Sequence, residues 1–400
     1  MAHRALIPVE QALEHILSGA RPVCSTEQLK LDHALGRTLS SPIFTPVDVP
    51  PSDNSAMDGY AVFAADIELD ASYPVSQRIS AGMDSVPLKP GTVARIFTGA
   101  NIPSGADAVI AQEDSLDQGD QVQITSLAKK GDHIRSRGQD MKKDSEILAA
   151  GKVLRPQEIG LIASCGIAEA EVYKKLKVAI VSTGDELVDP GQQTKPGQIY
   201  NSNSYLLKSF CTACGFEAIS FKLVPDQLDR TVSALEKAAS EADVIITTGG
   251  VSVGEEDHVR PAIAILGRLD MWKVAIKPGK PIALGKIGNT DLIGLPGNPA
   301  SVFTTFLILA LPRLRLLQGR LQKDLQPEIL SANFSRPAGS RQEYLRARKT
   351  AQGVEIFPNQ SSGVLSSACW GDGFAVQPSQ VEIRMGQPVE FLSYQSLIAG

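Results

Sequence analysis

The sequence has few of the residues that several common chemistries require. Its 400 residues include only five cysteines and five histidines. A small, odd number of cysteines fits a reducing compartment without a disulfide framework, and the histidines show no metal-ligand spacing.

Long runs of basic residues or of apolar residues are also missing. The formal net charge is −5 and there is no long basic run, so nucleic acid is not an expected partner. The longest apolar stretch, Val302 to Leu311, is shorter than the roughly 18 residues of a membrane span. The first residues lack the apolar core of a signal peptide. We therefore expect a cytoplasmic protein that does not contact a membrane.

One stretch, residues 243–299, concentrates glycines, acids, lysines and prolines. Val244 to Thr247 is a short apolar run of β-branched residues, which predicts a buried strand. Three residues follow at its carboxyl end, where glycines let the backbone approach a ligand: Thr248, Gly249 and Gly250. The same stretch continues with Ser252 and three acids, of which Asp257 is the last.

Lysines and prolines form the second half of this stretch. The segment Lys277-Pro-Gly-Lys280-Pro places two ammonium groups on a stiff turn, shortly after Lys273, and lysine binds oxyanions well. The alternative is a solvated turn. The segment Pro296-Gly-Asn-Pro299 opens a predicted helix whose free amides favour an anion. The alternative there is ordinary helix capping.

The residues before this stretch predict a sheet whose strand ends converge. Strand and helix patterns alternate from Lys177 onward, which predicts a doubly wound, mostly parallel sheet. Acids stand at two of its strand ends, Asp185 with Glu186 and then Asp226. Because strands of one parallel sheet present their carboxyl ends at one edge, these acids and Thr248 to Gly250 are expected in one crevice.

Three of these acids are candidate metal ligands. Carboxylate oxygens suit Mg²⁺ rather than zinc, and Glu186, Asp226 and Asp257 would each reach the predicted crevice. Helix caps and salt bridges are the structural alternative, which the spacing alone leaves open.

The rest of the chain predicts three further units around the sheet domain. The expected fold class is a multidomain α/β protein with a small β domain, a mixed linker domain and a C-terminal β-barrel-like module. Helices are expected near residues 5–19 and 29–39. The predicted division is a discontinuous helical and linker domain at 1–43 and 141–174, a β domain at 44–140, the α/β domain at 175–324 and the last module at 325–400.

Three segments of the small β domain carry candidate site residues. SDNSAMDGYA, residues 52–61, is either a capped turn or a ligand loop around Asp58. RIFTGA, residues 95–100, places Thr98 and a glycine at a strand end. The segment from Arg135 to Asp140 suits anion binding, or is an exposed turn with a salt bridge.

Together these motifs resemble the molybdopterin molybdenumtransferase family, also called the MoeA and gephyrin E-domain family. The segments that carry the resemblance are DNSAMDGYA, RIFTGA, RGQDMK, VSTGDEL, TTGGVSVGEEDHV, KPGKP and GLPGNPAS. They occur in family order over essentially the whole chain. TTGGVSVG alone is also similar to the molybdopterin adenylyltransferase and CinA-like proteins, which share one domain. The DNSAMDGYA segment and the C-terminal module separate this family from them.

The resemblance implies a function and a set of site residues. It implies an elongated homodimeric enzyme that inserts molybdenum from molybdate into adenylylated molybdopterin with Mg²⁺, releases AMP and forms molybdenum cofactor. By motif, it implies catalytic roles for Asp58, Thr98, Asp140, Glu186, Asp226 and Asp257. It implies substrate contacts by Arg135, Thr248, Gly249, Gly250, Ser252, Lys273, Lys277, Lys280, Pro296 and Pro299. The site would lie between one subunit's β domain and the other's molybdopterin-binding α/β domain.

The resemblance leaves two alternatives and one departure. A molybdopterin-binding scaffold without catalysis and a tungstate-inserting paralogue both fit the same motifs. The adenylyltransferase and molybdoenzyme chaperones are conceivable protein partners. The segment Ser361 to Trp370 departs from the family's serine- and glycine-rich pattern, at Cys369 and Trp370, which puts substrate contacts by Ser366 or Ser367 in doubt.

Overall fold

The structure is a computed structural model that describes residues 6–249, 258–321 and 326–399. Its first helix, Val9–Leu17, buries Val9, Ala12 and Ile16. These apolar residues recur at the spacing of one helix face, so the helix packs that face against the large core of the α/β domain. The prediction of a helix near residues 5–19 is confirmed, with shorter bounds.

The linker region joins segments from both sides of the small β domain. Thr26–Lys30 pairs with Glu169–Tyr173, and Ile43–Phe44 pairs with Glu146–Leu148, both antiparallel. The helix Pro156–Ser164 buries Ile162 in the same small core. The predicted helix over residues 29–39 is wrong, because this stretch continues the first strand into the short 3-10 helix Leu31–His33.

The small β domain is a six-stranded sheet. Its strands, in spatial order, are Ala108–Ala111, Gly59–Val62, Val93–Ile96, Ser72–Ile79, Gln121–Ile124 and Ser115–Asp117. Alternate residues of the central strands enter two separate cores on the two faces. The short strand Asn54–Ser55 pairs with Ile134–Arg135 beside this sheet. Asn54 also bridges to Asn101, so the predicted segment 52–61 lies between two other loops of the same domain.

The α/β domain has a mixed six-stranded sheet. Its strands, in spatial order, are Glu217–Ser220, Lys177–Ser182, Val244–Thr248, Thr290–Leu295, Pro281–Ile287 and Gly267–Lys273. The first four are parallel and the last two antiparallel. Helices cover both faces and form two cores: Ser202–Ala213, Leu228–Glu241, Val259–Leu266 and Pro299–Leu317. The predicted doubly wound, mostly parallel sheet is confirmed.

The helix Pro299–Leu317 is the longest helix among the described residues. By length and composition it is the one helix among the described residues that could cross a membrane, but 83% of its most apolar stretch is buried inside the protein. It contains the π-helical segment Phe306–Ala310 between two α-helical segments. Its side chains fill the larger core, where Phe306 stacks on Phe210 at 4.7 Å between ring centroids.

The C-terminal module is barrel-like, as predicted. Its strands, in spatial order, are Ile276–Lys277, Gln342–Thr350, Gly373–Gln377, Pro388–Ser393 and Glu328–Ser331. The strand Gly353–Ile356 pairs with Gln342–Thr350, and a bridge from Val354 to Ala332 connects it to the far side of the sheet. Two short helices, Ser366–Trp370 and Tyr394–Ala399, complete it. Because Ile276–Lys277 comes from the α/β domain, one strand ties the two units together.

Candidate active site

The carboxyl edge of the parallel strands forms the centre of the site. The Thr248 side chain is buried and lies 3.1 Å from the Ser182 hydroxyl of the neighbouring strand. The Gly249 amide donates to Leu295 O at 3.2 Å, with a φ of 82° that favours glycine. A Cβ on Gly297 would lie 3.8 Å from the Gly249 Cα. The loops after the strands Val244–Thr248 and Thr290–Leu295 are thus in contact.

Two of the predicted acids meet beside this edge. Asp185 and Asp226 each accept a hydrogen bond from the other's backbone amide, at 3.1 and 3.2 Å. The exposed Glu186 carboxylate lies against Gly184, where a Cβ would come within 2.5 Å of it. Two neighbouring loops therefore present carboxylates at the same sheet edge, as the strand-end argument predicts. Gly250, Ser252 and Asp257 lie outside the described residues.

The lysine turn lies at the opposite rim of a pocket. Gly249, Lys277, Lys280, Pro296 and Ser301 line a cavity of about 450 Å³. Lys280 is exposed, whereas Pro296 is buried and Pro299 begins the long helix. Gly279 has a φ of 110°, and a Cβ there would lie 2.4 Å from Thr305 Cγ2. The turn therefore packs its glycine directly on the helix, which fixes where the lysines emerge.

The C-terminal module supplies the remaining wall of the pocket. Arg341, Gln360, Ser361 and Ser362 line it. None of these four was identified from the sequence, because they lie at least 61 positions from Lys280 in the chain. The serine-rich character of residues 361–367 was the available signal. With Lys280 and Arg341 in one cavity lined by hydroxyls, the pocket has the cations and donors that an oxyanion needs.

A buried arginine holds this wall in place. The Arg346 guanidinium donates to Ser367 Oγ at 2.9 Å and to Ser361 O at 3.1 Å. The Gln360 side chain bonds to the Arg346 backbone in both directions, at 3.0 Å each. Ser367 is buried in this network and does not line the pocket. Trp370 packs on Phe357 and Arg348 within the same module.

Lys277 is already paired. Its ammonium donates to Glu343 Oε1 at 2.7 Å, and Arg336 binds the other carboxylate oxygen at 2.6 Å. The Lys277 side chain is 38% exposed, whereas that of Glu343 is 8% exposed. Burial alone would raise the pKa of Glu343, but hydrogen bonds from Lys277 and Arg336 outweigh it and lower that pKa. Lys273, at the end of its strand, is half-buried.

The helix start at Asn298 differs from the expected capping. Asn298 occupies the N-cap position without a side-chain cap bond. The Asn298 side-chain amide instead donates to Ser362 Oγ at 3.1 Å. The backbone amide of Ala300 donates to Ser362 O at 3.0 Å. The N-terminus of this helix thus contacts the C-terminal module, which closes the pocket on that side.

The remaining predicted residues lie together in the small β domain. The Asp58 carboxylate accepts from the Thr98 amide at 2.8 Å and from the Thr98 hydroxyl at 2.7 Å. Both hydrogen bonds lower the pKa of Asp58, and the bond from the Thr98 amide has the larger effect. Arg135 is exposed opposite Asn54, and the Asp140 amide donates to Val49 O at 3.0 Å. No hydrogen bond or ion pair among the described residues joins this group to the pocket.

Comparison with known protein families first shows the general class of this protein. Family models described as "MoeA N-terminal region (domain I and II)", "Probable molybdopterin binding domain" and "MoeA C-terminal region (domain IV)" match residues 7–166, 179–316 and 330–394. The fold and site thus define a multidomain protein of molybdenum cofactor biosynthesis with a molybdopterin-binding α/β domain.

Individual relatives agree over most of the chain. A molybdopterin molybdenumtransferase of Haemophilus influenzae is 39% identical over 341 residues, 84% of each chain. One of Staphylococcus aureus is 31% identical over 378 residues, 90% of this chain and 89% of its own. A solved molybdopterin biosynthesis MoeA protein of Pyrococcus horikoshii superposes with a TM-score of 0.86 at 28% identity, covering 98% of this chain and all of its own. The chain belongs to the molybdopterin molybdenumtransferase family, which is a family of transferases.

Proposed function

We propose that this chain transfers molybdenum from molybdate to adenylylated molybdopterin, assisted by Mg²⁺, with release of AMP and formation of molybdenum cofactor. One observation supports the proposal most: the cavity of about 450 Å³ in which the glycine-lined sheet edge, the lysine turn and the C-terminal module meet. The sheet edge suits a pterin phosphate, because glycine backbone and a helix N-terminus favour anions. The cationic wall beside it suits a tetrahedral oxyanion.

The residues of the pocket divide into two tasks. Lys280 and Arg341 supply charge to the oxyanion, while Ser361 and Ser362 supply hydroxyl donors. Attack of a molybdate oxygen on the adenylyl phosphorus breaks the phosphoanhydride bond. That oxygen leaves in AMP, and the molybdenum passes to the pterin.

The described acids fit a Mg²⁺ ion that is held by few carboxylates together with phosphate oxygens of the substrate. Within residues 6–249, 258–321 and 326–399, no cluster of three potential metal ligands is present. Mg²⁺ in nucleotide sites commonly takes one or two carboxylates together with phosphate oxygens, which Glu186 and Asp226 can provide at neighbouring loops. Asp257 is the proposed third ligand. When bound, the ion would neutralise the diphosphate.

The proposal extends to assembly and location. We infer a cytoplasmic homodimer in which Asp58, Thr98, Arg135 and Asp140 of one subunit face the pocket of the other. The predicted site residues of the small β domain support this inference, because no described hydrogen bond or ion pair joins them to the pocket of their own chain. Contacts with the adenylyltransferase or with molybdoenzyme chaperones would be transient.

The decisive experiment is AMP release by the purified protein. Adenylylated molybdopterin, molybdate and Mg²⁺ are mixed with the wild-type chain and, as a matched control, with Asp226→Ala. We expect AMP from the wild type and at least about a hundredfold less from the variant, near 2.7 kcal/mol in barrier.

The same assay distinguishes the proposed function from two alternative functions. Tight pterin binding without AMP release would establish a scaffold and overturn the proposal. A rate that rises with tungstate but not with molybdate would identify the tungstate-inserting alternative.

A further inference from the structure

A stack of two arginines and two aromatic rings lies on one face of the small β sheet. Tyr60 and Arg78 are the direct cross-strand neighbours of Arg95 on the two adjacent strands. The guanidinium carbons of Arg78 and Arg95 lie 4.5 and 4.8 Å from the Phe97 ring centroid. Arg95 also lies 5.1 Å from the ring of Tyr60. We call these four residues the arginine stack.

The arginine stack carries two positive charges that have no ion-pair partner among the described residues. Eight other arginines form ion pairs with described carboxylates, whereas Arg78 and Arg95 form none. Like charges directly opposite each other in a sheet repel, so their pairing across the Val93–Ile96 and Ser72–Ile79 strands has an energetic cost. An anionic ligand would offset that cost.

The two arginines differ in how firmly they are held. Arg95 is half-buried and donates to Gly59 O at 3.0 Å and to Gln112 Oε1 at 2.7 Å. These bonds give Arg95 a structural role of its own. Arg78 is exposed, and its guanidinium makes no hydrogen bond with a described residue. Its planar donor groups are therefore available while the Phe97 ring fixes their orientation.

The arginine stack adjoins the predicted site segment of this domain. Asp58 directly precedes the strand Gly59–Val62, and Thr98 follows Phe97. Arg95 is close enough to lower the pKa of Asp58, after the larger effect of the Thr98 hydrogen bonds. A ligand that reaches Asp58 and Thr98 can therefore reach both arginines.

We propose that the arginine stack binds the diphosphate of the nucleotide-linked substrate, with Arg78 as the main contact. Two neighbouring guanidinium groups match two neighbouring phosphates, and arginine donors suit phosphate oxygens. This proposal rests on the proposed function, because the substrate that it names is the adenylylated pterin. It adds a phosphate contact on the β domain to the oxyanion pocket on the α/β domain.

Pyrophosphate titration of the full chain tests the proposal. Because the lysine pocket also attracts anions, binding is measured by calorimetry in a Lys280→Gln background. We expect Arg78→Gln to weaken pyrophosphate binding by about tenfold or more, as for a charged hydrogen-bond partner. Phe97→Leu should weaken it by about two- to fivefold, since it removes the ring that orients the guanidinium. The matched control is Arg384→Gln, which removes an exposed arginine of the C-terminal module.

The outcomes separate this proposal from the proposed function. Arg78→Gln should also raise the KM for adenylylated molybdopterin while leaving the molybdate dependence unchanged. If AMP release proceeds normally but Arg78→Gln changes neither pyrophosphate binding nor KM, the arginine stack has no ligand role. If pyrophosphate binding depends on Arg78 but no AMP is released, the proposed function fails and the phosphate site stands. Arg78-dependent binding of an oligonucleotide without a response to pyrophosphate would overturn the proposal.

Discussion

Two lysines that look equivalent in the sequence occupy different environments. Lys280 is exposed on the pocket wall, whereas Lys277 is bonded to the buried Glu343 at 2.7 Å. An ammonium with an intramolecular carboxylate partner has fewer free donors for a ligand. We therefore propose that Lys280 makes the main oxyanion contact, whereas Lys277 joins the two domains through Glu343.

Lys280→Gln should weaken oxyanion binding without destabilising the fold. Because the side chain is exposed and lines the pocket, its loss removes charge from the ligand site but no packing. We expect the molybdate concentration for half-maximal AMP release to rise by at least about tenfold, or ~1.4 kcal/mol. The melting temperature should change by less than about 1 °C. An unchanged molybdate dependence would contradict the assignment.

Lys277→Gln should instead reduce the stability of the fold more than it reduces oxyanion binding. It leaves the Glu343 carboxylate buried with Arg336 as its one remaining cation among the described residues, so the folded state loses about 1–3 kcal/mol. Thermal unfolding should report this loss as a lower melting temperature. The molybdate dependence should shift less than in Lys280→Gln. A melting temperature equal to that of the wild type would show that the Glu343 contact contributes little.

The residues that the sequence could predict share one property. Lys277, Lys280, Asp226 and Thr248 stand next to strand ends that the apolar pattern locates, so their place at one sheet edge follows from the fold class. Arg341 and Ser362 reach the pocket from a different module, through pairing of Ile276–Lys277 with the strand Gln342–Thr350. Such a long-range contact leaves no local pattern in the sequence.

The same distinction holds at the scale of elements. The alternation of strands and helices predicted from Lys177 onward is observed, as in the strand Lys177–Ser182 and the helix Leu228–Glu241, because each has a long periodic or continuous apolar pattern. The stretch from Leu29 to Leu39 was predicted as a helix, but its first residues pair with Glu169–Tyr173, more than 130 positions away. Local preference was overruled there by a partner strand that only the fold supplies. The predicted domain boundaries stay a prediction.

The turn between the two lysines depends on the absence of a side chain at Gly279. A Cβ there would lie 2.4 Å from Thr305 Cγ2, and the Thr305 hydroxyl is fixed by a 2.7 Å bond to Ser301 O. The φ of 110° adds backbone strain for any other residue. Gly279→Ala should therefore lower the free energy of unfolding by about 2–4 kcal/mol, measured by urea denaturation.

A glycine in open space provides the control for that change. Gly82 also has a positive φ, of 81°, but has no atom within 4 Å of an added Cβ. Gly82→Ala thus reports the backbone strain alone, at about 1 kcal/mol. Equal losses for the two variants would show that the contact with Thr305 does not limit the turn.

The strand pair at Lys277 and Glu343 should make stability depend on pH. Although burial opposes it, the pKa of Glu343 is lowered by Lys277 and Arg336. A carboxylate with a lowered folded pKa stabilises the protein above its unfolded pKa and loses this effect as pH falls through the folded pKa. Glu343→Gln should therefore lower the melting temperature at pH 7 and reduce its decline below about pH 4.

The control for this prediction removes an exposed acid of the same module. Glu382 pairs with Arg384 on the surface, and both side chains are more than half exposed. Glu382→Gln should leave the pH profile of the melting temperature as in the wild type, since exposed pairs contribute about 0–1 kcal/mol. Parallel profiles for Glu343→Gln and the wild type would exclude a role of Glu343 in the acid transition.

At the scale of the whole molecule, the predicted site residues fall into two groups on separate units. Asp226 and Thr248 lie at the sheet edge of the α/β domain, and its two lysines line the pocket. Asp58 and Thr98 instead bond to each other on the small β domain. One explanation is a shared site between two copies of the chain. The other is that Asp58 only holds the Thr98 loop in shape.

Subunit mixing separates these two explanations. Asp58→Ala and Asp226→Ala chains are each expected to be inactive in AMP release, because each lacks one half of every site. In a mixed dimer with a shared site, one site combines the two mutated halves and the other combines two intact halves, so about a quarter of the wild-type activity should return at full statistical exchange. Subunit exchange is verified with differently tagged chains. If exchange is complete and no activity returns, the two halves act within one chain or Asp58 is structural. A lower melting temperature of Asp58→Ala, with normal activity, would identify the structural role of the Thr98 bond directly.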